Sequence, residues 1–261
     1  MKAILCTAYG PPDVLKLVEI DQPRPRENEV LIKIHTSTVT LGDCEMRTLT
    51  LPLWTQIPLR LFMGYNKPRH YIPGMELAGV VEAIGKKVTS LKEGDPVFCS
   101  SGIRMGANAE YICRSASTPI AIKPAGLTFE DAATIMVGGI NALHFLRKAH
   151  IQPGQKVLII GAGGSIGTYG VQLAKMYGAQ VTAVDHPSKL DMLRNIGADH
   201  VIDYTTEDFA QNGVKYDVIF DVIYTSSFDK CIASLTDTGC YLMANSNPSR
   251  MLKACFRCLP G

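Results

Sequence analysis

Net charge is nearly absent from this 261-residue sequence: 26 Lys and Arg stand against 24 Asp and Glu, for a formal net charge of +2. Seventeen basic and 14 acidic residues precede position 151, and 9 and 10 follow, so neither half has the basic excess of a nucleic-acid-binding domain. Long apolar runs are missing as well. No stretch approaches the roughly 18 uninterrupted apolar residues that a membrane-spanning helix needs. The apolar run after Met1 is only a few residues long before Tyr9-Gly-Pro-Pro, too short for the core of a secretory signal. Paired cysteine spacing is lacking too. Eight cysteines are scattered through the chain, which fits free thiols in a reducing, cytoplasmic setting. Cys255 and Cys258 form a C-x-x-C, but with no second pair and no strand–helix context the spacing assigns them neither metal nor thiol chemistry. No internal repeat or low-complexity tract is present. At 46% apolar residues the chain has the material for a core of one large or two modest domains.

Two textures divide the sequence. Residues 1–124 are short alternating apolar segments broken by Gly and Pro, such as Glu29-Val-Leu-Ile-Lys-Ile-His and Leu77-Ala-Gly-Val-Val-Glu-Ala-Ile, and predict a small antiparallel β domain. Thr128 and Asp131 have capping-box spacing and open a helix predicted to run to about Lys148, interrupted at Gly138-Gly139. Residues 125–261 form the second domain. From Gln155 onward its apolar runs alternate with helical segments, which predicts five parallel strands covered on both faces, an α/β architecture.

Between the first of these strands and its helix lies Gly161-Ala-Gly-Gly-Ser-Ile-Gly167. Aligned on its last glycine it is an A-x-G-x-x-G form of the dinucleotide fingerprint. Ala162 takes the first glycine's place, Gly164 lets backbone approach a pyrophosphate, Gly167 lets helix pack on strand, and Gly163 between them belongs to the same cofactor-binding turn. Ser165 and Ile166 open the helix, whose N-terminal N–H groups face the phosphates. Asp185 ends the second strand, where a carboxylate accepts hydrogen bonds from ribose hydroxyls and repels a 2′-phosphate, so NAD(H) is favoured over NADP(H). Lys189, four residues on, works against that repulsion.

With these motifs in order, the chain resembles the medium-chain dehydrogenase/reductase superfamily, in its zinc-independent, quinone-oxidoreductase-like branch. Met1-Lys-Ala-Ile, Tyr9-Gly-Pro-Pro-Asp-Val-Leu, Pro73-Gly-Met-Glu-Leu-Ala-Gly, Gly94-Asp-Pro-Val-Phe, Ala109-Glu-Tyr and Gly197-Ala-Asp-His-Val-Ile-Asp-Tyr carry the resemblance over essentially the whole chain. It implies a GroES-like β domain, a Rossmann domain and an active site between them. It also implies that Tyr204, Val222, Ala244 and Asn245 border the cofactor. At the positions of the catalytic zinc ligands of related alcohol dehydrogenases stand Thr40, Met75 and Val137, which make no zinc site.

Without a Lewis acid, an already electrophilic quinone or α,β-unsaturated carbonyl is the easier acceptor for a hydride from NAD(P)H. Thr40 is either a hydroxyl donor to the acceptor's carbonyl or a packed turn residue. Asn141 stands where the family often contacts the nicotinamide. Residues 49–65 are densely apolar and contain the only tryptophan, Trp54, with Pro52 and Pro58 expected to break any long helix. They are either a lid over an apolar substrate, with Trp54, Tyr65 and Met75 in its pocket, or a satellite cluster packed on the β domain. Tyr224 departs from the family's glycine at the edge of the fourth strand and puts a bulky ring where the resemblance implies backbone contact with the cofactor. A nucleotide-binding redox sensor or scaffold without turnover, and an alcohol or aldehyde oxidoreductase, stay open as alternatives. Relatives usually run several tens of residues longer, so the resemblance predicts a truncated chain, with a homodimer expected of a full-length form.

Overall fold

In the computed structural model, which describes residues 1–50, 53–69, 71–223, 226–245 and 249–251 and only the backbone of Leu53 and Trp54, the chain divides into two units, Met1–Met136 and Val137–Gly261. Unit 1 begins with β1 (Lys2–Cys6), paired antiparallel with β2 (Leu15–Glu19). Then come β3 (Glu29–Ser37), α1 (Leu41–Thr48), α2 (Leu53–Met63), β4 (Glu76–Ile84), β5 (Pro96–Ser100), β6 (Tyr111–Ser115) and β7 (Ile120–Ile122). Five of these strands form one antiparallel sheet in the order β6-β3-β4-β5-β7. Val30, Ile32, Leu77, Val81, Val97 and Cys99 make its core, every second residue along each strand falling on the buried face. Gly79 is required where β3 and β4 pair, since a Cβ there would lie 2.1 Å from the Lys33 carbonyl oxygen.

Unit 1 closes with α3 (Phe129–Ala133), started by the predicted capping box. The Thr128 hydroxyl accepts from the Asp131 N–H, and the Asp131 carboxylate accepts from the Thr128 N–H. Ala132 and Ala133 are fully buried beside Ala78 and Phe98, and Phe129 stacks on His35 at 4.4 Å. These contacts bind the helix to the sheet, and the division between the two compact units falls after it, at 136/137. The predicted interruption at Gly138-Gly139 is absent. The chain breaks at Thr134, and both glycines lie inside α4 (Ile135–Ala149). A Cβ on Gly138 would lie 2.4 Å from Ser165 Oγ, so this glycine serves close helix packing and not a stop. Pro58 likewise lies within α2 without ending it.

Unit 2 alternates β8 (Lys156–Ile160), α5 (Ser165–Met176), β9 (Gln180–Asp185), α6 (Leu190–Asn195), β10 (His200–Asp203), β11 (Tyr216–Asp221), α7 (Phe228–Ala233) and β12 (Leu235–Met243). All neighbours pair in parallel, in the order β10-β9-β8-β11-β12. The five predicted strands are present, the last beginning at Leu235 and not at Gly239. Along β8, Val157 and Ile159 face Ala142, Leu146 and Val171, while Leu158 and Ile160 face Ile202, Ile219 and Tyr216, so both faces of the sheet are covered. Order and handedness put the turns after β8 and β11 side by side, at the point where the winding reverses. Among the described residues, no helix is long and apolar enough to cross a membrane.

Asp199 latches the edge of this sheet. Its carboxylate accepts from the Val181 N–H at 2.7 Å and from Lys175 Nζ at 2.8 Å. Burial alone pushes the carboxyl up, but these bonds outweigh it and hold its pKa below the usual carboxylate range. Because the folded value is the lower one, the stabilisation is present above the unfolded pKa and is lost as pH falls through the folded one. Asp199→Asn should therefore lower stability at pH 7 and flatten the acid limb below about pH 4, read by urea denaturation across pH; an unchanged acid limb would remove the latch from this account.

Candidate functional site

The turn after β8 is closed by its own backbone. Gly161 (φ 77°) and Ala162 donate to the Val184 carbonyl at 3.0 and 3.1 Å, and the Gly164 N–H reaches the Gly161 carbonyl at 3.3 Å. Gly161 occupies left-handed φ, where an L side chain is strained. Gly167 sits where a Cβ would lie 2.4 Å from the Gly161 oxygen and 2.6 Å from Ala162 Cα, so α5 starts directly against the strand end. Gly164 caps α5 without a side chain, and a Cβ on it would meet only one carbonyl, at 3.6 Å. The first N–H groups of α5, at Ser165, Ile166 and Gly167, therefore start a twelve-residue helix beside open space, as an anion site requires.

Asp185 holds this turn. Its carboxylate accepts from the Gly163 N–H at 2.6 Å and the His186 N–H at 2.8 Å, lies 3.6 Å from Lys189 Nζ, and its residue is 8% exposed. A Cβ on Gly163 would strike Lys189 Cδ at 2.3 Å and Asp185 Oδ2 at 2.9 Å. The carboxylate expected to face a ribose thus also holds the turn's backbone, one N–H on each oxygen, while the Lys189 side chain stays half exposed. Both line a cavity of about 850 Å³ with Gly161, Gly164, Tyr204 and Ile223. Tyr204 stands exposed beside His186, ring centroids 6.2 Å apart. On the far wall lie groups the sequence did not single out: Thr205, Asp208, Ser226, Ser227 and Lys230. The Lys230 ammonium bonds Asp208 and holds its carboxyl below the usual range. Their signal was positional, since all lie just past the C-terminal ends of β10 and β11, where open α/β sheets bind ligands.

At the end of β11 lies a buried ion pair. Asp221 is fully buried and accepts from Arg250 Nη2 at 2.7 Å, the Tyr241 hydroxyl at 2.8 Å and the Ile223 N–H at 3.1 Å. Arg250 also bonds the Tyr241 hydroxyl. Burial pushes the Asp221 carboxyl up, and the Arg250 guanidinium pulls it back. Ile223, so anchored, walls the cavity against Gly161. Three sequence-predicted residues converge beside it: Asn245 Nδ2 donates to the Val222 carbonyl at 2.7 Å, and the Ala244 N–H donates to the Asp221 carbonyl. Tyr224, Cys255 and Cys258 lie outside the described residues.

In unit 1, Thr40 caps α1. Its hydroxyl donates to Asp43 Oδ2 at 2.7 Å and accepts from the Asp43 N–H, so its proton is already committed. Asp43 also accepts from the Gly74 N–H and fixes the loop that leads to Met75, which packs, partly buried, against the cluster that contains Cys6 and Met46. Glu76 is 1% exposed and accepts from the Thr38 hydroxyl at 2.6 Å. Thr40 offers a bonded hydroxyl, Met75 a partly buried thioether and Val137 no donor, which is not a zinc ligand set. Among the described residues, no three of His, Cys, Asp and Glu gather to hold a metal. The α2 helix packs Leu59 and Met63 inward and leaves Ile57, Leu61 and Phe62 exposed, while the Trp54 side chain lies outside the described residues. Tyr65 is exposed, with the Arg60 guanidinium 5.8 Å from its ring centroid. In unit 2, Asn141 donates Nδ2 to the Val137 carbonyl one turn back.

Two family models match the chain: alcohol dehydrogenase GroES-like domain over residues 26–127, and zinc-binding dehydrogenase over residues 165–251. The chain is 35% identical over 233 residues to 2-methylene-furan-3-one reductase of Solanum lycopersicum, covering 85% of this chain and 57% of that protein. It is 32% identical over 249 residues to the chloroplastic NADPH-dependent alkenal/one oxidoreductase of Arabidopsis thaliana, covering 92% and 61%. The solved structure of the quinone oxidoreductase from Coxiella burnetii matches with a TM-score of 0.81 at 31% identity, over 92% of this chain and 74% of that one. The chain thus spans less than two thirds of the length of those two plant relatives.

Proposed function

Since the chain belongs to the medium-chain dehydrogenase/reductase superfamily as a quinone-oxidoreductase-like member, we propose that it is a reductase that binds a nicotinamide dinucleotide in the unit 2 cavity and acts on a quinone or α,β-unsaturated carbonyl. The observation that carries this reading is the turn 161–167, where Cβ atoms at Gly161, Gly163 and Gly167 would each strike a neighbour within 2.7 Å while Gly164 stays open. That arrangement fits a pyrophosphate lying on the first N–H groups of α5. The names of the tomato and Arabidopsis relatives support an enone or alkenal acceptor, and that of the Coxiella structure a quinone.

Bound there, the cofactor supplies a hydride. What the protein supplies is position: α5 N–H groups for the phosphates, Val222, Ala244 and Asn245 at the strand edge, and Tyr204 at the adenosine end. We read the reaction as metal-free, because an enone or quinone is electrophilic without a Lewis acid and the Thr40, Met75 and Val137 set offers no zinc ligands. Thr40 serves as the cap of α1, and water delivers the proton. The test is oxidation of NADPH and NADH by a panel of alkenals, enones and quinones; no consumption of either cofactor with any acceptor would overturn the reading.

The choice of cofactor turns on Asp185 and Lys189. The Asp185 carboxylate lies 3.6 Å from the Lys189 ammonium and accepts from the Gly163 and His186 N–H groups, which offsets its repulsion of a 2′-phosphate. We therefore propose NADPH as the working cofactor, with the half-exposed Lys189 facing the 2′-phosphate. A charge-assisted contact of this kind is worth about 1.5–3 kcal/mol. Lys189→Gln should weaken NADPH binding by roughly 10- to 100-fold and leave NADH binding within a few-fold. Equal losses for both cofactors would assign Lys189 to the turn and not to the phosphate.

A further inference from the structure

We infer that the outer face of α2 docks on an anionic lipid bilayer. The helix, Leu53–Met63, is 11 residues long and carries one charge, Arg60. At about 100° per residue its positions divide into two sides. Leu59 and Met63 turn inward onto the cluster that contains Cys6 and Met46. Ile57, Leu61 and Phe62 fall on the other side and are 64%, 71% and 58% exposed, with Pro58 exposed beside them. A surface helix of a soluble domain puts polar residues there. The Arg60 guanidinium does not break the stripe, since it donates to the Tyr65 carbonyl at 2.6 Å and lies 5.5 Å from the Tyr9 ring centroid. Ile103 is exposed too and borders the same surface depression as Phe62. Single exposed apolar side chains are ordinary, but a contiguous stripe of them marks a surface made to be covered.

What covers it follows from the charge around it. Residues 46–75 contain Arg47, Arg60, Lys67 and Arg69 and not one Asp or Glu, in a chain whose charges are nearly balanced, 26 basic against 24 acidic. Lys67 and Arg69, which follow the helix, are exposed, and neither forms an ion pair among the described residues. A second copy of the chain is a poor occupant, because a two-fold pairing sets this basic surface against itself. An anionic bilayer satisfies both features: its headgroups attract Lys67 and Arg69 while the stripe sinks to the boundary between headgroups and acyl chains. At about 16 Å the helix is too short to cross a membrane, so it lies along the surface as interfacial helices do. The inference stands apart from the hydride-transfer reading, because neither cofactor nor acceptor takes part in it.

Flotation of the full chain with phosphatidylcholine vesicles, prepared with and without phosphatidylglycerol and free of cofactor and acceptor, tests the surface. The mixed vesicles should bind the chain roughly 10- to 100-fold more tightly than phosphatidylcholine alone, and raised salt should erase most of that difference. Leu61→Ser with Phe62→Ser, both at exposed side chains, should weaken binding to the mixed vesicles by roughly 10- to 100-fold and leave the melting temperature unchanged. Lys67→Gln with Arg69→Gln should bring the mixed vesicles down toward the affinity of phosphatidylcholine alone. Binding to neither vesicle, equal binding to both, or a serine variant that binds like the parent would each overturn the inference. So would a dimer of the parent chain, seen by analytical ultracentrifugation, that the serine pair dissociates, since the stripe would then belong to a second copy.

Discussion

Dinucleotide affinity is expected to fall by about 100-fold or more in Gly167→Ala, with a stability loss of about 1–3 kcal/mol. The added Cβ would lie 2.4 Å from the Gly161 oxygen and 2.6 Å from Ala162 Cα, both backbone atoms that no rotamer change moves aside. The start of α5 must therefore back away from the strand end and take its first N–H groups with it. A displacement near 1 Å suffices to misplace donors whose hydrogen bonds to phosphate depend on distance and angle. NADPH titration by fluorescence, beside urea denaturation, separates the two effects. Affinity within 3-fold of the parent would show that the helix start does not hold the phosphates.

The largest stability loss is expected from Arg250→Met. Arg250 and Asp221 form an ion pair whose side chains are 7% and 0% exposed, so solvent screens them little. Removing the cation leaves a buried carboxylate with only neutral partners, a change that costs about 3–5 kcal/mol. The same change loosens the Asp221–Ile223 corner that walls the nucleotide cavity, so dinucleotide binding should weaken along with stability. Asp221→Asn combined with Arg250→Met should recover a large part of the stability, since no charge is then stranded. A loss below about 1 kcal/mol in the single variant would mean that the pair contributes nothing net to the fold.

The parallel sheet was the most legible part of the chain. Apolar runs such as Val157–Ile160 end in glycine or acidic residues, and those local signals put the ends of β8, β9 and the start of α5 close to where the structure has them. Features set by packing were misread. Gly138 looked like a helix stop because glycine usually is one, yet its lack of a Cβ lets α4 pass Ser165. Pro58 looked like a breaker and lies inside α2. Asp185 was found by its position at the strand end, but its bond to Gly163, 22 residues earlier, is a tertiary contact that spacing does not reveal. Arg250 bonds an aspartate 29 residues away and could not be paired from spacing alone. Thr40 was read as either a hydroxyl donor or a packed turn residue, and in the structure it caps α1 through Asp43.

The central claim, hydride transfer to an activated acceptor without metal, is tested most directly by exhaustively chelating the protein and mixing it with NADPH carrying deuterium at both C4 positions and an alkenal. The account predicts continued NADPH oxidation, unchanged by added zinc, with deuterium on the β-carbon of the product. Oxidation that stops on chelation and returns with zinc, or a product carrying no deuterium, would contradict it.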